Sequence, residues 1–439
     1  MNIRIPDSHY KRIVIIGAGF GGLALARKLA SKKFQVVLID KYNFHQFQPL
    51  FYQVATAGLE PSAISFPLRK AFQSYPNVHI RITEVISINP ERNTIHTKLG
   101  ELQYDYLVLA MGADTNYYGM KNIMEKAMPM KTVGEALALR NHILQNFEDA
   151  LSVEDPIERE RLMKIVVVGA GPTGVEVSGT LAEMKKTVLP KDFPDMDFSP
   201  MEIYLIEAGP KVLGPMSEQS SEKAEKYLHN LGVKVKTGLG VKDFDGKTVF
   251  LNDGSVIESN TLIWAAGVKA NFIKGIPENS IHRSGRIIVD RYNKVEGLQN
   301  IYAIGDQAIM VEEKFPNGHP QVVQPATQQA ANLASNLQRM QHGKPLKQFS
   351  YKDLGSMATV GRNLAVVDLP YIKFQGFLAW LFWMFVHLMS IVGVKNRLLI
   401  FINWFWNYIT YDQSLRLIIK PAEKKKGSVI KEQDKLQEV

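Results

Sequence analysis

Two stretches of the chain carry the same succession of apolar and small residues. The first, RIVIIGAGFGGLALARKLA, opens on a β-branched run that reads as a buried strand, passes through a glycine turn and continues with apolar residues at helical spacing. The second, KIVVVGAGPTGVEVSGTLAEM, does the same further along. Each is followed by another apolar run that closes on an acid: QVVLID on Asp40, MEIYLIE on Glu207. In the second case the acid comes late, and the segment 185–200, KKTVLPKDFPDMDFSP, reads as an inserted loop. YDYLVLAMGAD (104–114) and NTLIWAAGVKA (260–270) each read as a strand running into a small-residue turn, and IYAIGD as a strand ending at Gly305-Asp306. Strands alternating with helices predict an α/β protein with parallel sheets.

Gly17, Gly19 and Gly22 have GxGxxG spacing, and so do Gly169, Gly171 and Gly174. The spacing answers a physical demand: a turn without a Cβ, close approach of a pyrophosphate to the backbone, and contact between helix and strand. The helix that follows turns its positive end to the phosphates. Two such units, each with strand, turn, helix and acid-tipped strand, predict two Rossmann-like dinucleotide-binding domains. Asp40 and Glu207 stand where a carboxylate accepts hydrogen bonds from adenosine ribose hydroxyls. A carboxylate repels a 2′-phosphate, so Glu207 favours NADH over NADPH, although Lys211 lies close by. Ala110 and Gly112, and Ala266 and Gly267, are expected to bring backbone close to each nucleotide.

The end of the chain is different. Phe377–Val394 is apolar over 18 residues with one ionisable side chain, His387. As a helix it would measure about 27 Å, short of the ~30 Å hydrocarbon core of a bilayer. In the next segment, NRLLIFINWFWNYITYD, Leu398, Ile402, Phe405 and Ile409 share one helical face and Asn396, Asn403, Asn407 and Thr410 another, an amphipathic pattern. Trp380, Trp383, Trp404 and Trp406 cluster here, and tryptophan prefers the membrane interface. Lys395 and Arg397 lie between the two segments. A single crossing would carry Lys420 and Lys424 to Lys426 to the side opposite the nucleotide domains, against the positive-inside preference. Two helices lying in the membrane surface are therefore expected; the alternative is a buried core or a homodimer interface, and one surface can serve both.

The chain has 439 residues, a formal net charge of +9 and no cysteine. The absence of cysteine excludes a redox dithiol, a Cys-ligated metal and a disulfide framework, and no metal site is assigned. The positive charge is spread along the chain apart from the tail, which argues against a nucleic-acid partner. No signal-peptide core or transit peptide is visible, so a cytoplasmic protein is expected.

This order of elements resembles the two-dinucleotide flavoproteins of the glutathione-reductase-like superfamily, in which an FAD domain made of two chain segments is interrupted by an NAD(P)H domain. The resemblance implies FAD on the first glycine turn, with Asp306 holding the ribityl chain, and NADH on the second. It implies an FAD domain of 1–115 and 269–345, an NADH domain of 116–268, a membrane-anchoring region of 346–420 and a basic flexible tail of 421–439. NADH donates a hydride, and a flavin accepts it at N5. Without cysteines, and with a membrane-docking end, the acceptor is expected to be a membrane quinone. HQFQPLFYQVAT (45–56), AIGD, QPATQQA (324–330), YKDLGSMATVGR (351–362) and the aromatic C-terminal helices then resemble the type II, non-proton-pumping NADH:quinone oxidoreductases along nearly the whole chain. The implied enzyme works on the cytoplasmic face of the cell membrane as a peripheral protein.

By that resemblance Gln48, Pro49 and Leu50 pack near the isoalloxazine ring, and Gln324 and Gln328 lie by flavin and quinone. Pro325 reads as a first helical residue with Gln324 as its N-cap; the plain alternative is two surface glutamines. Glu176 either complements a helix dipole or approaches nicotinamide and flavin and assists proton transfer. Lys395 meets the quinone head or lipid phosphates. His387 titrates in a useful range but sits on an apolar helix, where histidine is more often structural. Two rival functions are a soluble NADH-dependent reductase of a small redox protein and a non-enzymatic flavoprotein sensor.

Overall fold

The computed structural model describes residues 2–411 and 415–419; the expected tail at 421–439 lies outside them. Two parallel five-stranded sheets form its frame. The first has the order Ile301–Ala303, Tyr106–Leu109, Arg12–Ile16, Gln35–Asp40, Val78–Ile82. The second has the order Met128–Pro129, Thr261–Trp264, Ile165–Val168, Ile203–Glu207, Val233–Thr237. The central strands are apolar and buried on both faces (Ile13, Val14 and Ile15 in one, Val166 and Val167 in the other), as helix-covered parallel strands require. The last strand of the first sheet follows the whole of the second in sequence. The chain leaves the first sheet by Ala113–Thr115 and returns by Val268–Ala270, and these two short strands pair antiparallel with each other.

The segment 185–200 is more ordered than an inserted loop. The glycine-turn helix runs Pro172–Thr187, a short helix Leu189–Asp192 follows, and Phe193 and Phe198 form an aromatic cluster with Phe147. Local apolar residues there find partners only across the fold.

After the glutamine helix, Val323–Gln341, comes an antiparallel sheet, Ser356–Gly361, Leu364–Asp368 and Lys373–Gln375. Two helices close the described chain, Phe377–Ser390 and Val394–Thr410. The expected 18-residue apolar helix is thus 14 residues, about 21 Å. It ends at Ser390, and Gly393, at φ +91 where any Cβ would strike the Phe66 ring, caps the next helix. Among the described residues no helix is long and apolar enough to cross a membrane.

Both helices turn an apolar face outward. In the first, Ala379 and Trp383 are buried while Leu378, Leu381, Phe385 and Met389 are exposed. In the second, the exposed face is the predicted apolar one, Leu398, Ile402, Phe405 and Ile409. Its polar face docks on the protein. The Asn396 amide donates to the Ala63 and Ser65 carbonyls at 2.9 and 3.1 Å, and the Trp404 indole donates to Gln53 Oε1 at 2.8 Å.

Candidate functional site

The two glycine turns are built alike. A Cβ on Gly22 would overlap the Gly17 carbonyl oxygen, and one on Gly174 the Gly169 carbonyl oxygen. Gly17 and Gly169 lie against the neighbouring strand ends, with Cβ positions 2.6 Å from the Ala110 carbonyl carbon and 2.8 Å from that of Ala265. Gly19 and Gly171 by contrast have nothing within 4 Å of where a Cβ would sit. Each turn is closed toward the protein and open at its middle glycine, the approach a pyrophosphate needs. Both turns therefore fit a dinucleotide.

The acids take matching positions. Asp40 accepts from the Ala18 and Tyr42 N–H groups at 2.6 and 2.7 Å, and Glu207 from those of Ala170 and Gly209, both at 2.7 Å. Each carboxylate braces the loop and keeps acceptor capacity for a ribose. Burial pushes the Asp40 carboxyl up, against the two amides. The carbonyls of the same loop residues are gripped as well. His45 Nδ1 lies 2.9 Å from the Ala18 carbonyl, and the Leu213 N–H donates to that of Ala170 at 2.7 Å. A carbonyl only accepts, so His45 carries its proton on Nδ1; burial holds its pKa below the usual value. Sequence reasoning assigned no role to His45, because its partner lies 27 residues away along the chain.

The strand Ile301–Ala303 delivers Asp306 to the same end of the first sheet. Burial raises its pKa, opposed by Lys131 and Arg286. Two buried glutamines that the sequence reading passed over hold this corner. Gln329 Oε1 accepts from the Gly305 N–H at 2.7 Å; Gln307 accepts from the Met111 N–H at 3.2 Å and donates to the Asn271 carbonyl at 2.9 Å. Their signal was burial, which a polar residue does not display in the sequence.

Gln324 and Gln328 both meet the segment 351–355. Gln324 Nε2 donates to the Gly355 carbonyl at 2.7 Å, and its Oε1 accepts from the Leu354 N–H at 3.0 Å and the Tyr351 hydroxyl at 3.2 Å. Gln328 donates to the Lys352 carbonyl at 2.8 Å and accepts from its N–H at 3.0 Å. These amides are engaged rather than free surface groups. The helix begins two residues earlier than expected, at Val323 after Val322, so Gln324 is its second residue and Pro325 its third. Proline is tolerated there because the first N–H groups of a helix have no intrahelical acceptor.

Glu176 is buried beside the C-terminal helices. Burial pushes its carboxyl well above the ordinary range, and the Thr359 backbone and Trp383 indole facing it work against that rise. Trp383 also stacks on His387 with ring centroids 3.9 Å apart and packs against Tyr52 and Trp404. The Tyr52 hydroxyl accepts from Gln53, which in turn accepts from the Trp404 indole. Phe47 reaches both Phe20 of the first glycine helix and His387. One aromatic network thus joins both glycine units to the outward-facing helices. Within it Gln48, Pro49 and Leu50 form a short turn with Leu50 fully buried. His387 Nδ1 is held by the Trp383 carbonyl at 2.8 Å, and burial lowers its pKa to about 4, leaving a neutral imidazole at neutral pH. That opposes a role as proton donor. Lys395 is not part of this network: it is exposed at the second position of the last helix. Among the described residues no cluster of three or more metal-ligating side chains occurs.

Comparison with known proteins matches the same regions. The family model for the pyridine nucleotide-disulphide oxidoreductases covers residues 11–330, and the NDH2 C-terminal domain covers 354–410. A type II NADH:quinone oxidoreductase of Mycobacterium tuberculosis is 37% identical over 414 residues, covering 91% of this chain and 88% of its own. A second one from that organism is 38% identical over 410 residues, covering 90% and 86%. The solved structure of Plasmodium falciparum NDH2 in complex with NADH shares the fold at a TM-score of 0.85 and 23% identity, over 94% of this chain and 100% of that one. With two dinucleotide turns, a cysteine-free chain and a C-terminal pair of helices closing on them, the chain belongs to the type II NADH:quinone oxidoreductase family within the pyridine nucleotide-disulphide oxidoreductases.

Proposed function

We infer that the protein is an FAD-dependent NADH:quinone oxidoreductase that works without pumping protons, with FAD on the first glycine turn and NADH on the second. When bound, FAD supplies the acceptor for the hydride of NADH and hands the electron pair to the quinone. The observation that carries the reading is the aromatic network: it ties both nucleotide units to helices whose apolar faces point outward. A lipid-soluble acceptor enters from that side.

The chain's own residues divide the work as follows. Asp40 and Glu207 hold the glycine turns and receive the ribose hydroxyls, and Asp306 faces the flavin chain. Ala110 and Gly112, and Ala266 and Gly267, supply backbone at the strand ends. Gln48, Pro49 and Leu50 wall the flavin site. Gln324 and Gln328 position the segment 351–355 beside the quinone path. Glu176, whose carboxyl burial pushes up, stands near the reacting end, where it can take up or give a proton. Lys395 lies on the exposed apolar surface, where a cation meets lipid phosphate, the simpler of its two roles. The two helices seat the enzyme on the cytoplasmic face of the membrane as a peripheral protein. The same face can pair with a second copy.

Anaerobic stopped-flow at about 450 nm, the region where bound flavins absorb, tests this. NADH should bleach the flavin, and a soluble quinone should restore it rapidly. Bleaching without recovery would leave a reductase of some other acceptor, such as a small redox protein.

A further inference from the structure

The strand ends of the two dinucleotide units correspond residue by residue over 109–116 and 264–271, and the correspondence stops just beyond. Leu109 pairs with Ile16 in the first sheet as Trp264 pairs with Val168 in the second. Three residues on, Gly112 and Gly267 are counterparts, with φ of +68 and +87. Beyond the paired strands Ala113–Thr115 and Val268–Ala270, the next residues exchange partners. The Asn116 N–H donates to the Gly267 carbonyl at 3.3 Å and the Asn271 N–H to the Gly112 carbonyl at 3.1 Å. Two residues later the correspondence breaks. Ile273 turns into the core under the first sheet. Its counterpart Tyr118 is 63% exposed, and its hydroxyl lies over Gly267, where a Cβ would overlap it. At Gly112 nothing lies within 4 Å of the equivalent point.

Tyr118 sits at φ +50, a left-handed conformation that is unfavourable for a bulky residue, and Gly119 follows at φ +81. Strain of this kind collects at functional sites. The position is also the right one. In the second sheet the strand order reverses between Ile165–Val168 and Thr261–Trp264. A doubly wound sheet takes its ligand in the crevice beyond the strand ends at that point, and Gly171 and Gly267 lie on its two sides.

We propose that Tyr118 is a gate on the NADH crevice: its ring covers Gly267, and it swings aside at Gly119 when the dinucleotide enters. This rests on the second unit being the NADH site. The difference between the units follows from their duties. A flavin that stays bound needs no cover at Gly112, whereas NADH enters and NAD+ leaves in every turnover. A cover that must be displaced weakens both ligands and hastens product release.

The test uses Tyr118→Asn, which tolerates the left-handed backbone without a ring, and Tyr118→Phe, which keeps the ring. Tyr118→Gly, which also relieves the strain, serves if the Asn variant folds poorly. The apparent Kd for NADH is read from the stopped-flow reductive half-reaction, and the inhibition constant of NAD+ from steady state. Ring removal should lower both roughly three- to tenfold. The Phe variant should stay within about twofold, and flavin content and reoxidation by soluble quinone should not change. An unchanged or raised Kd after ring removal overturns the gate. If NADH fails to bleach even the wild-type flavin, the reading of the second unit has failed and the gate falls with it.

Discussion

Replacing one glycine in each turn by alanine separates the two nucleotide sites. In Gly22→Ala the new methyl would lie 2.9 Å from the Gly17 carbonyl carbon and overlap its oxygen; in Gly174→Ala the corresponding distance to Gly169 is 3.0 Å. Backbone on both sides cannot yield as a flexible side chain would, so helix and turn must separate by about an ångström. Overpacking of this kind costs about 1–3 kcal/mol. Concentrated on the loop that binds the pyrophosphate, 2 kcal/mol is roughly a 30-fold loss of affinity. The assay reads two numbers on each purified variant: flavin absorbance per protein, and the rate of flavin bleaching by NADH. Gly22→Ala should lose flavin. Gly174→Ala should keep it and require far more NADH for the same bleaching rate. The opposite pattern would mean that the two nucleotides are exchanged between the units. Two variants that both behave as wild type would refute the reasoning from the turns.

The remaining predictions concern the C-terminal region. Glu183 is half-buried, accepts from the Arg362 N–H, and burial raises its pKa to about 7. The folded state then holds a proton that the unfolded state releases near pH 4.5, so this group's contribution to stability is full below pH 4.5 and declines up to about pH 7. Glu183→Gln keeps an acceptor for the Arg362 N–H and removes the charge. It should raise stability at pH 8 relative to pH 5 by about 3 kcal/mol at most, read from urea melts at both pH values; an unchanged pH dependence would refute the assignment. The pair Leu398→Glu and Phe405→Glu alters only exposed positions. It should abolish binding to liposomes while leaving flavin content and reduction by NADH unchanged, and retention on liposomes would sink the membrane-docking face. Truncation is a poorer test, because Trp383, Ile400 and Trp404 belong to the same core as Phe47 and Tyr52.

The parts of this protein legible in the sequence are those governed by neighbours along the chain. A strand, a glycine turn and a helix are set by residues a few positions apart, so both nucleotide turns, their closing acids and the strand ends at Ala110 and Ala266 could be read directly. The alternation of Leu398, Ile402, Phe405 and Ile409 with asparagines marked the last helix for the same reason. What the tertiary structure decided is which of two compatible roles each residue takes. The amphipathic pattern does not say which face docks; the hydrogen bonds from Asn396 and Trp404 do, and they turn the apolar side outward. Beside the break in the apolar run, Gly393 packs against a ring, Phe66, that is remote in sequence and leaves no room for a Cβ. His45, Gln307 and Gln329 hold loops on other elements, and a partner so far away leaves no periodic trace. Tyr118 differs from Ile273 only because the folded chain lays one over a glycine and buries the other. Local backbone preference is written along the sequence; burial and contact depend on what the completed fold brings alongside.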